Sequence, residues 1–171
     1  MRITQVRAII VIAVLAVVAA VTSWMAIVND SQTAEAETCP PGAIPVDIEL
    51  AEEENVSVLV LNATDNSGLA DQAAAQLTDY GFEVLETDNS DKEEMQAPVE
   101  IHYGPKAVAD AHLLRSYFAE SVHLFDIENE NEHVEIILGP GFQQLNTKSD
   151  ARNALSVIGW PKAPEGTCAI E

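Results

Sequence analysis

The chain has 171 residues, 47% of them apolar and only 5% aromatic, with 8 basic residues against 28 acidic ones for a net charge of −20. That length allows one ordinary domain plus an appendage, not two large domains. The charge excludes a general nucleic-acid binder, whose phosphate contacts need clustered Lys and Arg, and it argues against docking on anionic lipid through a basic patch.

Residues 1–7 form a short N-terminal stretch that holds Arg2 and Arg7. Residues 8–28 then carry no charge and are interrupted only by Thr22 and Ser23. As a helix this run would be roughly 31 Å long, about one hydrocarbon thickness. Trp24 stands near its outer end, where amphipathic rings favour the interface. The flank before the run is basic, and the flank after it (Asp30, Glu35, Glu37) is acidic. The pattern predicts one transmembrane signal-anchor helix, with the N-terminus cytoplasmic and the remainder outside. The alternative is a cleaved signal peptide, whose apolar region is shorter and whose small-x-small site lies closer. Here Ala34-Glu35-Ala36 sits too far out and is flanked by acid. The residues before Cys39 do not make a lipoprotein box.

From Asp30 onward there are 6 basic and 28 acidic residues, a net charge of −22. The two cysteines, Cys39 and Cys168, lie near the two ends of this part. An exported compartment permits a disulfide, and two cysteines allow one intrachain bridge. Free thiols or an intermolecular bridge are the other options. Residues 29–55 read as an acidic extracytoplasmic tether, with Pro40, Pro41, Gly42, Pro45 and the run Glu52-Glu53-Glu54. Within it, Ile44 to Leu50 alternates loosely enough for an edge strand.

A domain follows over 56–142. Val56 to Leu61 is a β-branched run that predicts a buried strand. Asn62 to Gly68 is a turn cluster, in which Asn66 or Ser67 is expected to cap the next helix. Leu69 to Tyr80 sets Leu69, Ala73, Leu77 and Tyr80 on one helical face, and Gly81 supplies the stop. Phe82 to Thr87 predicts a strand, and Asp88 to Ala97 an acidic loop. Val99 to Tyr103 alternates, with Glu100 and His102 on the polar face. Pro105 opens a helix to about Phe118. Val122 to Ile127 and Val134 to Leu138 predict strands joined by the acidic turn Glu128 to Glu132, read as a solvated hairpin turn. Residues 143–171 form a C-terminal extension with a short helix over Ser149 to Ile158, tied back by the disulfide. The order βαβ-βαββ predicts an α+β two-layer sandwich with helices on one side of a mixed sheet. Its other side would face water and carry Glu100, His102 and Glu135 as a candidate partner face.

The stretch from Val56 to Val84 resembles the LytR C-terminal domain family. The matching residues are Val60, Leu61, Asn62, Ala63, Ser67, Gly68, Leu69, Ala70, Leu77, Gly81, Phe82 and Val84. Ile101 to Gly104 and Val134 to Gly139 extend the resemblance to about residue 142. In this family the domain often follows a LytR-CpsA-Psr catalytic domain, which resembles ligases that move lipid-linked glycopolymers onto peptidoglycan. The tether here leads straight into the C-terminal module. The resemblance therefore implies a stand-alone, membrane-anchored envelope protein of a type typical of actinobacteria, without the ligase activity. It carries over no catalytic residues. Asn62, Ser67, Gly68, Leu69 and Gly81 are read as structural motif positions. An anion site at the helix start is disfavoured, because Asp65 and Asp71 flank it and no Lys or Arg does.

The sequence contains no G-x-S-x-G elbow, P-loop, HExxH or CxxC pattern. His102, His112, His123 and His133 lack metal-ligand spacing. No spacing selects a carboxylate pair for glycoside hydrolysis. No cofactor or metal is expected. The expected function is a non-catalytic envelope module binding envelope-assembly proteins such as LytR-CpsA-Psr ligases. A wall-glycan binding module is the alternative: aromatic platforms are few (Tyr80, Tyr103, Tyr117, Phe142, Trp160), and a −22 part opposes an anionic wall. A carboxylate-based hydrolase is a minor third reading.

Overall fold

The computed structural model describes residue 19, residues 39–91 and residues 95–170. Apart from Ala19, the expected membrane helix over 8–28 lies outside the described residues. Among the described residues no helix is long and apolar enough to cross a membrane. The chain divides into two units, Met1–Thr38 and Cys39–Glu171. The second begins inside the segment read as a tether, so residues 39–55 are part of the folded unit.

Among its described residues, that unit is an α+β fold with a mixed five-stranded sheet, a separate two-stranded sheet and three helices. In chain order it runs β1 (Ile44–Asp47), β2 (Ser57–Asn62), α1 (Leu69–Tyr80), β3 (Glu83–Asn89), β4 (Val99–Tyr103), α2 (Val108–Tyr117), β5 (Ser121–Phe125), β6 (Val134–Leu138), α3 (Lys148–Ile158) and β7 (Thr167–Ile170). The main sheet has the order β3-β2-β6-β4-β5. β2 is parallel to both β3 and β6, β4 is parallel to β5, and β4 runs antiparallel to β6.

This order corrects one expectation. β5 and β6 do not form a hairpin across the 128–132 turn, because β4 lies between them. The helical connection through α2 sets β5 parallel to β4 on its outer side. The chain must then cross back over β4 to reach β2. The helix after Pro105 is also shorter than expected: Pro105–Ala107 form a 3₁₀ turn before α2 begins at Val108.

α1 keeps the predicted bounds. It buries Leu69, Ala70, Ala73, Ala74 and Leu77, and the small residues bring it close to β2 and β3. It ends where Gly81 takes a φ of 106°, which favours glycine. The Gly81 N–H donates to Thr78 O and the Phe82 N–H to Leu77 O, each at 3.0 Å. Phe82 and Leu77 are both buried beside this cap. Alternate residues of the sheet (Val58 and Val60, Val99 and Ile101, Val134 and Ile136) share one core with Leu77, Leu114, Tyr117 and Phe118. Phe82 meets Tyr117 edge-on at 5.0 Å between ring centroids. The Tyr117 hydroxyl donates to Glu53 Oε1 at 2.6 Å, which ties the segment before β2 to the end of α2.

β7, which the sequence reading did not foresee, pairs in parallel with β1. Cys39 and Cys168 are joined in a disulfide, with Cα atoms 5.5 Å apart. The bridge closes a loop across a sequence separation of 129. A loop of that length stabilises the fold by about 4–5 kcal/mol in the chain-entropy model.

Candidate functional site

Strand alternation sends every second residue of the sheet away from the core. On β4 these are Glu100 and His102. The register sets Val122 of β5 beside Glu100 and Leu124 of β5 beside His102. On the other flank, Ile137 of β6 pairs with Glu100 and Glu135 with His102. Leu59 and Leu61 of β2 continue the two rows. The three predicted residues are thus brought onto one face, with His102 Nε2 2.9 Å from Glu100 Oε2 and Glu135 in the neighbouring strand position. Glu100 and His102 also take part in further contacts.

This face is less polar than the sequence reading expected. Val122 is 44% exposed and Leu124 38% exposed. Leu85, the extra residue where β3 bulges against β2, is 51% exposed. Val122 and Leu124 border the carboxylate–imidazole pair on the β5 flank, and Ile137 borders Glu100 on the β6 flank. Local alternation within β4 located Glu100 and His102. The apolar flanks became visible only once the neighbouring strands were known.

The family-motif residues sit elsewhere, in the loop between β2 and α1. Asn62 is 5% exposed and organises this loop. Its Nδ2 donates to Asn66 O at 3.0 Å, while its Oδ1 accepts from the Thr64 N–H at 3.1 Å and the Thr64 hydroxyl at 2.8 Å. Its backbone carbonyl accepts from the Ser90 N–H after β3. The expected capping role of Asn66 or Ser67 is not found. Gly68 occupies the cap position with a φ of 79°, and no side chain caps α1. The Asn62 amide has replaced that cap as the organiser of the turn, leaving Asn66 to accept from the Leu69 N–H through its carbonyl. Leu69 is buried and starts the apolar face of α1.

The same loop walls an open cleft of about 770 Å³ with Asn89, Ser90 and Pro140. Asp65 and Asp91 line it as well, so an anion would meet two carboxylates there. Asp110, in the first turn of α2, lines a separate recess with Asp47, Glu49 and Lys106. Burial, with Asp47 adding to it, pushes the Asp110 carboxyl up to about 6. Among the described residues no group of three or more His, Cys, Asp or Glu is arranged to hold a metal ion.

Residues 55–142 match the family model LytR_C, described as the LytR cell envelope-related transcriptional attenuator. No curated protein matches the chain. Among solved structures, the chain is similar to the soluble domain of a conserved hypothetical secreted protein from Mycobacterium marinum, an Rv2700 ortholog. The two share 24% identity and a TM-score of 0.56, over 66% of this chain and 77% of that one, which is a likeness of fold. The family match takes in the Asn62 loop, the Gly81 stop and the strands that carry Glu100, His102 and Glu135, and it covers more than half of the 171 residues. On that match the chain belongs to the LytR C-terminal domain family, LytR_C.

Proposed function

We propose that the protein is a membrane-anchored, non-catalytic interaction module of the bacterial cell envelope. The helix over 8–28 anchors it, and the domain stands on the outer side of the membrane. There it binds an envelope-assembly protein, of which a LytR-CpsA-Psr ligase is the foremost candidate. Three observations support an extracytoplasmic place. The family is described as cell envelope-related. The similar M. marinum protein is described as secreted. The chain also closes its two cysteines in a disulfide, a bond that persists in oxidising compartments.

The observation that carries the interaction reading is the sheet face around Glu100, His102 and Glu135. Exposed aliphatic side chains next to a partly buried ionisable pair are the composition of a protein contact: apolar area for affinity, charge for register. The test is photo-crosslinking in the native membrane from two positions, Leu124 on this face and Val157 on α3, which is 86% exposed. The reading expects a discrete adduct with a wall-assembly enzyme from position 124 and none from 157. Equal labelling from both positions, or wall glycan in place of protein, contradicts it.

A further inference from the structure

A third cavity, of about 250 Å³, lies between α2, the β4–β5 edge of the sheet and the segment after α3. α2 contributes His112 and Arg115, β5 contributes His123, and β4 contributes Tyr103. Trp160 and Lys162 complete the wall. No carboxylate lines it, although the part of the chain from Asp30 onward carries a net charge of −22. Two of the six Lys and Arg residues in that part converge here. Among the described residues neither Arg115 nor Lys162 makes an ion pair.

The cavity is a built one. His112 Nε2 lies 2.8 Å from Gly159 O. A carbonyl only accepts, so the imidazole N–H donates, and this bond pins the segment carrying Trp160 and Lys162 to α2. The Ser121 hydroxyl donates its proton to Phe118 O at 2.9 Å, so it accepts from His123 Nε2 at 3.1 Å. His123 Nδ1 then keeps its lone pair. Trp160 is 78% exposed, an unusual state for a large aromatic ring. It offers a flat apolar wall beside the two cations.

We propose that this cavity binds a small phosphate monoester, with Arg115 and Lys162 taking the phosphate and Trp160 covering the organic group that carries it. A phosphate monoester suits the site better than a carboxylate. It is close to a dianion at neutral pH and matches two fixed cations, one of them a planar guanidinium fork. Its organic part supplies what an indole face covers.

His123 reports occupancy. Burial, then Arg115, then His112 push its imidazole down to about 4, so it is neutral at neutral pH. The groups facing it are Arg115 and His112 from α2, Tyr103 from β4, Lys162 from the segment after α3 and the Ser121 hydroxyl on its own strand. A bound dianion offsets the positive neighbours and returns the imidazole toward its ordinary value.

The experiment is calorimetric titration of the full-length protein in non-ionic detergent with glucose 6-phosphate, inorganic phosphate and glucose. Saturable binding of glucose 6-phosphate, weaker binding of inorganic phosphate and no binding of glucose are expected. Arg115→Ala and Lys162→Ala each weaken binding at least tenfold, whereas Arg152→Ala on α3 leaves it within twofold. Trp160→Ala brings the two phosphates to equal affinity. In the unsubstituted protein, the His123 ring resonances titrate at higher pH when glucose 6-phosphate is present. Absence of saturable phosphate binding overturns the proposal, as does binding that Arg115→Ala leaves unchanged or an unmoved His123 titration. Equal affinities for the two phosphates in the unsubstituted protein would remove Trp160 from it.

Discussion

Asp110→Asn isolates a single electrostatic cost within the fold. The Asp110 carboxyl stands in the first turn of α2, half-buried, and Asp47 adds a like charge from the end of β1. Both effects oppose its ionisation, burial the more strongly, and raise it from 3.8 to about 6. The folded state therefore holds a proton that the unfolded chain has released between about pH 4 and pH 6. Stability from this group is full below about pH 4 and is lost as pH rises through about 6. A shift of about 2 units corresponds to about 3 kcal/mol, at roughly 1.4 kcal/mol per unit. Asparagine fills the same volume and never ionises. Solvent reaches this half-buried carboxyl and screens part of that cost, so Asp110→Asn should raise the unfolding free energy at pH 7 by about 1–2 kcal/mol and change it by less than about 0.5 kcal/mol at pH 4. Urea unfolding followed by far-UV circular dichroism at a series of pH values measures both. A variant that gains nothing at pH 7, or gains equally at pH 4 and pH 7, would show that ionised Asp110 does not cost the fold stability.

Other perturbations follow from the same contacts. The Tyr117 hydroxyl is the main reason the Glu53 carboxyl sits below its ordinary 4.5. Tyr117→Phe should cost about 1–2 kcal/mol at pH 7, a loss that fades as pH falls through the depressed Glu53 value. Denaturant midpoints at pH 7 and pH 3 check this. Replacing Cys39 and Cys168 by serine should cost about 4–5 kcal/mol, read by calorimetry with and without reductant. Gly81→Ala should cost about 1–2 kcal/mol, because alanine resists the positive φ at the end of α1. Thermal unfolding would show it, and an unchanged midpoint would count against the cap described.

Much of the fold was legible locally. α1 runs over the predicted residues because its apolar spacing, first-turn Asp71 and terminal Gly81 all agree. β4 and β6 also kept their predicted bounds, since their alternation needs no distant partner to be read. Pairings between distant segments were not legible. β7 is four residues long, and its partner β1 lies more than a hundred residues earlier. The place of β4 between β5 and β6 follows from the path of a crossover, which no residue within β5 or β6 records. The same divide runs through the candidate sites. Glu100 and His102 stand two apart on one strand, so alternation alone set them side by side. Arg115, His123 and Lys162 come from three separate segments, and only the folded chain joins them.

The proposed partner surface is the sheet face around Glu100, His102 and Glu135. The most direct measurement is quantitative co-purification from crosslinked native membranes, comparing the unsubstituted protein with Glu100→Lys/Glu135→Lys at matched folding and abundance. Wall-assembly enzymes are expected to accompany the unsubstituted protein and to fall to background with the double substitution. Undiminished recovery from the substituted protein would contradict this assignment.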